Sequence, residues 1–351
     1  MPARLPVVLC TSMIREPLES DGAMDRPIRT SCDHVPERSA RSEGDACPYS
    51  IIVCTHNRAD LLRKCLQATI QEMRSSEVSG ELIVVDNAST DHTMTAVDAL
   101  AEEVGDAVRL KYVFESEPNL SIARNRGIDE ATGSVLVFLD DDAFPASGWL
   151  SSCLKAFATN PTVLGVGGEV APRLGAAAPG WFREPLIAIY TVMDLGGTEV
   201  RPFPPQCHPV GANMAFRRRV FETRRFSSRL GRSRLDLIGG EESEICASIR
   251  RAGGALLYVP GMKVEHFIHP ERLTEQWVLD RYFFEGISRA RMPFGWRVHA
   301  VSVAKQIVKL TLLMLMRPFL RTHFQRLLWG CRIRWSIGYA SELTGVTRFR
   351  R

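Results

Sequence analysis

The sequence predicts an α/β fold: a mixed, mostly parallel sheet with helices on both faces, followed by a C-terminal helical extension. Three observations predict it. Short apolar, β-branched runs alternate with longer segments of helical periodicity, the pattern of a parallel sheet joined by crossover helices. Each run ends in a polar cluster. After Pro145 the alternation loosens, and two long helical stretches close the chain.

The elements follow in order. Residues 1–47, rich in Arg, Ser, Pro, Asp and Glu without periodicity, read as a disordered leader. YSIIVC (49–54) is a buried strand, and in the segment after it Leu61, Leu62, Cys65, Leu66, Thr69 and Met73 share one helical face. ELIVVD (81–86) repeats the strand, and TDHTMTAVDALAEEV repeats the helix behind a Thr or Asp cap. VRLKYVFE (108–115) is a third strand. LSIARNRGIDEATG is a helix with Leu120, Ala123, Gly127 and Ala131 inward, closed by Gly133. SVLVFL (134–139) is the fourth strand. VLGVGGEV (163–170) and PVGANMAF read as strands, with a Pro/Gly-rich span from Pro172 to Pro209 between them that suits a substrate loop. EESEICASIRRAG is a helix, ALLYVP and KVEHF are short strands, and the closing helices begin near Arg272 and Arg297. This divides the chain into a unit at 48–270, with halves 48–145 and 146–270, and an extension at 271–351.

Composition narrows the function. From Arg291 onward there are 12 Lys or Arg against Glu342 alone, a surplus of eleven positive charges; the overall charge is +4, so the rest of the chain carries −7. An acidic body with a basic tail is unlike a nucleic-acid binder, whose charge lies on the folded face. In the tail, Lys305, Lys309, Arg317, Arg321, Arg326, Arg332 and Arg334 surround Leu312, Leu313, Leu315, Phe319, Leu327 and Leu328. That pattern fits a helix packed on the body with its basic face in water. It equally fits peripheral contact with an anionic inner membrane. The nine cysteines show no CxxC spacing, which argues against a zinc ribbon or disulfide framework and for a reducing cytoplasm. LTLLMLM (310–316) is far shorter than the ~20 residues a membrane span needs.

In parallel sheets ligands bind beyond the carboxyl ends of the strands. Those ends hold THNR, VDNAS and LDDD. The run Asp140-Asp141-Asp142 alone reads equally as a solvated turn or a cation site; its place after a hydrophobic strand at the ligand edge favours the cation. Asp86 reads as a contact for a base or ribose, or as an Asx-turn. Arg124 reads as a surface cation, or as a partner for phosphate or the carboxylates. GVGGEV lacks the setting of a dinucleotide loop, and HFIH lacks the Glu of a zinc-protease motif.

Five ordered motifs, CTHNR, VVDNASTD, NLSIARNRG, FLDDDAFP and GGEESE, resemble those of the family-2 glycosyltransferases with the GT-A (Rossmann-like) fold, over about residues 49–290. The resemblance implies transfer of a sugar, with inversion, from a nucleotide diphosphate-sugar, expected to be a UDP-sugar. The acceptor would be a saccharide or lipid-linked, with Mg²⁺ or Mn²⁺ as cofactor and no nucleic-acid partner. It implies that Thr55, Asn57 and Arg58 line the nucleotide pocket, that Asp86 contacts the base and that Arg124 borders it. Asp140 and Asp142 become the metal-binding DXD pair, with Asp141 between them on the nucleotide-sugar side, and His266 reaches the metal or diphosphate. Relatives usually read GGED where this chain has Gly239-Gly240-Glu241-Glu242, so Glu242, with Glu241 beside it, stands at the catalytic base. A role in bacterial surface-polysaccharide synthesis follows from the same resemblance. A sugar-nucleotide-forming nucleotidyltransferase would want a Gly-rich basic loop after the first strand, which THNRAD is not. An inactive nucleotide-binding scaffold would not need the intact aspartates.

Overall fold

The computed structural model describes residues 48–233, 236–292, 311, 315 and 320–345. The proposed leader and the helix start near Arg297 lie outside them.

The first half is the strand–helix repeat. β1 (Tyr49–Thr55), β2 (Glu81–Asn87), β3 (Arg109–Glu115) and β4 (Val135–Asp140) alternate with α1 (Ala59–Ser75), α2 (Thr93–Val104) and α3 (Leu120–Glu130). β1, β2 and β4 are buried along nearly their whole length, which is why they read as continuous apolar runs rather than alternating ones. α1 buries Leu62, Cys65, Leu66, Thr69 and Met73 on the face expected of it, with Leu61 at its margin. Two helix ends differ from expectation. His92, whose side chain makes no capping bond, caps α2, while Asp91 accepts from the backbone and hydroxyl of Thr93. α3 stops at Glu130, earlier than Gly133, and Asn119 caps its start by accepting from Ser121 and Ile122.

The second half is β5 (Ala143–Pro145), α4 (Trp149–Thr159), β6 (Gly165–Gly167), β7 (Val170–Leu174), β8 (Arg201–Pro202), β9 (Asn213–Arg217), α5 (Glu241–Arg251), β10 (Leu256–Tyr258), β11 (Val264–Ile268), α6 (Glu275–Arg291) and α7 (His323–Leu343). The segment expected as one strand over 163–170 divides into β6 and β7, which enter different sheets. The large sheet runs β3-β2-β1-β4-β9-β6-β10-β8 and the small one β5-β11-β7. β1 to β4 are parallel to one another, while β9 lies antiparallel between β4 and β6. The strand order therefore reverses beside β1, and the carboxyl ends of β1 and β4 flank the switch point.

A second apolar cluster lies apart from the sheet core. It joins Trp181, Leu186 and Tyr190 of the Pro/Gly-rich span to Val278 and Tyr282 of α6 and to Leu327, Cys331, Trp335 and Tyr339 of α7. Tyr190 stacks on Trp277 with ring centroids 5.0 Å apart. The C-terminal helices thus share a core with residues before position 270, so no boundary of packing falls there. Leu327 is turned inward by this packing, while Lys305, Lys309, Leu312, Leu313, Arg317 and Phe319 lie outside the described residues. Among the described residues, no helix is long and apolar enough to cross a membrane.

α6 and α7 meet backbone to backbone. A Cβ on Gly286 would lie 2.1 Å from the Trp335 carbonyl oxygen, and one on Gly338 would lie 2.0 Å from that of Phe283. Neither atom can yield as a flexible side chain would, so only glycine fits. Gly286→Val or Gly338→Val should therefore lower stability by about 1–3 kcal/mol in urea unfolding, the range typical of overpacking. Unchanged midpoints would mean that the helices do not meet at these glycines.

Candidate active site

A cavity of about 230 Å³ opens at the switch point, walled by Thr55, His56 and Arg58 from the end of β1, by Asp140, Asp141 and Asp142 from the end of β4, and by Arg232, His266 and Arg272. A larger hollow of about 450 Å³ between α1 and α2 contains only Arg74 and Glu103 as charged groups. It lies toward the opposite sheet edge, away from the titratable cluster.

The three aspartates have different tasks. Asp141 points into the protein: the Thr55 hydroxyl donates to its Oδ2 at 2.7 Å and Arg58 donates to its Oδ1 at 2.8 Å. Burial nevertheless raises its pKa, and Arg58 opposes the rise. Asp142 is equally buried, yet its carboxyl is held well below the usual range. Burial pushes it upward, but His266, Arg58 and Arg272 together outweigh burial. Their nitrogens lie 3.1, 3.0 and 3.7 Å from it. Asp140 is half-buried, with Arg124 donating to its Oδ1 at 3.1 Å.

The small sheet delivers the histidine. β11 pairs with β5 so that His266 stands opposite Ala143, and the Phe267 amide donates to the Asp142 carbonyl at 2.7 Å. His266 Nδ1 lies 3.0 Å from the Tyr190 carbonyl oxygen, which can only accept. Nδ1 therefore carries a proton and Nε2 faces Asp142, the orientation usual for a metal-binding imidazole. Burial lowers the pKa of His266, but Asp142 more than compensates and raises it overall. One ligand atom each of Asp140, Asp142 and His266 lie within 4.8 Å of one another. Two carboxylates and one imidazole are a donor set that fits a divalent cation.

Arg124, 3% exposed, joins the aspartates to the other candidate cluster. Besides Asp140 it donates to Glu241 Oε1 at 2.5 Å. Glu241 has its pKa pushed up to about 7 by burial and by Glu242, against the opposing charge of Arg124, and its Oε2 has no hydrogen-bond partner. Glu242 follows in the first turn of α5, half-buried and without an ion-pair partner among the described residues. The turn before α5 is held from α6: the Gly239 amide donates to Ser288 Oγ at 3.0 Å and Arg281 donates to the Leu237 carbonyl. Gly240, at φ +100°, caps the helix in the left-handed region.

Two of the expected pocket residues, Asn57 and Asp86, do not line the cavity. Asn57 is turned outward, and its side-chain oxygen accepts from the Thr90 and Asp91 amides, fastening the loop between β2 and α2. Asp86 is buried, with its oxygens taken by the Ser89 amide and the Tyr112 hydroxyl, each at 2.8 Å. The bond from the Ser89 amide is of the Asx-turn kind. Asn87 and His56, joined at 2.8 Å through His56 Nδ1 and the Asn87 carbonyl, face the cavity in their place. Arg232 and Arg272 also face it, and neither was singled out from the sequence. A basic residue alone in a loop has no periodicity to mark it, although Arg272 follows closely on the HFIH motif.

Comparison with known proteins agrees with this arrangement. Residues 50–225 match the family described as Glycosyl transferase family 2. The glucosyl-dolichyl phosphate glucuronosyltransferase of Haloferax volcanii is 25% identical over 252 residues, covering 69% of this chain and 76% of the relative. The succinoglycan biosynthesis protein ExoM of Rhizobium meliloti is 29% identical over 246 residues, 68% of this chain and 73% of ExoM. Among solved structures, the mannosyltransferase PcManGT from Pyrobaculum calidifontis, in complex with GDP-Man and Mn²⁺, superposes with a TM-score of 0.56 at 20% identity, over 88% of this chain and 90% of that one. At that identity the likeness establishes the fold, a GT-A-type sheet.

The Arg124–Glu241 pair generates a test. Arg124→Ala leaves Glu241 buried without its countercharge, so it should destabilise by about 3–5 kcal/mol. Adding Glu241→Gln should restore part of the loss, giving a coupling in a double-mutant cycle of chemical unfolding. Additive losses would show that the two side chains do not support one another.

Proposed function

The chain belongs to glycosyl transferase family 2, and on that premise we propose that this glycosyltransferase carries a sugar from a nucleotide diphosphate-sugar to a saccharide or lipid-linked acceptor, with inversion. The observation that supports this best is the convergence of Asp140, Asp142 and His266 at the switch point, beside Arg58 and Arg272. Asp140, Asp142 and His266 would hold Mg²⁺ or Mn²⁺, which when bound supplies positive charge for the diphosphate. PcManGT was solved with GDP-Man and Mn²⁺, which supports the same pairing here.

Thr55 and Arg58 keep Asp141 out of the ligand set, so that the aspartates on either side face the donor. Glu242 serves as the base: it takes the proton of an acceptor hydroxyl as that oxygen attacks the anomeric carbon from the side opposite the diphosphate. Glu241 is less suited, because it is buried and its Oε1 is committed to Arg124. The name of the Haloferax relative includes a dolichyl phosphate and ExoM is named for succinoglycan synthesis, which supports lipid-linked and polysaccharide acceptors. A lipid-linked acceptor also gives the basic residues after Arg291 a use beside an anionic membrane face, in a bacterial polysaccharide pathway.

Asp142→Asn should abolish Mn²⁺-dependent binding of UDP and GDP in calorimetry and lower the unfolding midpoint, because His266, Arg58 and Arg272 lose their shared countercharge. Turnover of a nucleotide-sugar undiminished by EDTA would overturn the metal assignment. Glu242→Gln keeps the size of the side chain and removes the proton acceptor. Transfer should fall by ~10²- to 10⁴-fold with donor binding unchanged. Transfer near the wild-type rate would remove Glu242 from the mechanism.

A further inference from the structure

The cations around the cavity are almost all tied to carboxylates. Arg58 is bound to Asp141 and Asp142, Arg124 to Asp140 and Glu241, Arg272 to Asp142 and Arg281 to Glu285. Arg232 is the exception. It lines the cavity half-buried, and its guanidinium has no ion pair or hydrogen bond among the described residues. Burial, with the nearby charges of Arg281 and Arg272, pushes its pKa down to about 10, so it remains protonated at neutral pH. A cation kept charged among other cations without its own anion is unfavourable in the free protein, and a ligand anion would relieve it.

The position of Arg232 is built rather than incidental. The Leu120 amide at the start of α3 donates to the Arg232 carbonyl at 3.0 Å. The Asn119 side-chain amide donates to the carbonyls of Ser228, at 2.9 Å, and Gly231. A Cβ at Gly231 would stand 2.3 Å from Asn119 Oδ1, so glycine is what lets the loop lie against α3. The contact fixes the backbone of Arg232 at the same sheet edge as Asp140, whose charge it feels together with that of Glu241.

We infer that Arg232 is a donor-binding residue whose guanidinium takes the diphosphate of the nucleotide-sugar, an inference that rests on the donor reading above. The planar fork of donors on a guanidinium matches phosphate oxygens. The chemistry of the leaving group supplies a use for an uncommitted cation. A diphosphate joined to a sugar carries two negative charges. When the bond from the anomeric carbon to the phosphate oxygen breaks, the electron pair stays on that oxygen and a third charge appears. The acceptor oxygen bonds to the same carbon, and its proton passes to the base. A cation fixed beside the diphosphate interacts more strongly as that charge grows, which lowers the barrier as well as aiding binding.

The test compares UDP and GDP with UMP and GMP by calorimetry in the presence of Mn²⁺, using full-length protein and the variants Arg232→Ala, Arg232→Gln and Arg232→Lys. The neutral variants should bind the diphosphate that wild type prefers about 10- to 100-fold more weakly, the size expected for losing a charged hydrogen bond. Lys should recover part of the loss, affinity for the corresponding monophosphate should change much less, and kcat should fall along with donor affinity. Diphosphate binding as tight as wild type in Arg232→Ala would overturn the inference. So would an equal loss for mono- and diphosphate, which would place the effect on the nucleoside or the loop. A loss seen only with a nucleotide-uronate would overturn it in favour of a sugar carboxylate. Wild-type protein that binds neither diphosphate would overturn the donor reading and this inference together.

Discussion

Three consecutive carboxylates at the end of a buried strand can remain ionised only if cations are brought to them, and here each cation comes from a different part of the chain. Arg58 arrives from the start of α1, Arg124 from α3, His266 from β11 and Arg272 from the turn before α6. An unpaired charge at this depth would cost several kcal/mol, so the placement of those four elements and the charge state of the β4 terminus depend on each other. Arg124 extends the dependence to α5, since one guanidinium holds both Asp140 and Glu241.

The same electrostatics assign roles within the run. The chain turns at Asp141 and Asp142 directly after β4, and Asp141 bonds Thr55 and Arg58 while Asp140 and Asp142 stand with His266. Asp141 anchors the loop, and Asp140 and Asp142, held by Arg124 and by Arg58, His266 and Arg272, have ligand atoms close to that of His266. The start of α5 follows a similar division: Glu241 is committed to Arg124, while Glu242, one residue further along, has no ion pair among the described residues.

Much of this was readable in the sequence, for identifiable reasons. β1 to β4 are apolar runs with helices of clear periodicity between them, and such local signals survive without knowledge of the fold. The strand-terminal aspartates were visible because three like charges after an apolar run need an explanation. The direction of β9 was not visible, because a short apolar run looks the same in a parallel or an antiparallel place. Nor was the second core: Trp181 and Tyr190 lie in a span without periodicity, and their partners on α6 and α7 are far along the chain. Asn57 and Asp86 carried the right residue types at the right edge, but their oxygens are satisfied by backbone and hydroxyl groups that only the folded loops bring near.

α6 has a wider consequence. Along a single helix, Arg281 and Ser288 hold the turn at Leu237 and Gly239, while Gly286 between them rests on the backbone of α7. The helix works like a keel, with the turn before α5 riding on one flank and the C-terminal helix bearing on the other. A change in how α7 seats would shift Gly239 and Gly240, and through the Arg124 bridge between Glu241 and Asp140 it would reach the aspartates as well. Variation far out in the C-terminal helix thus has a mechanical route to the cavity through the turn before α5.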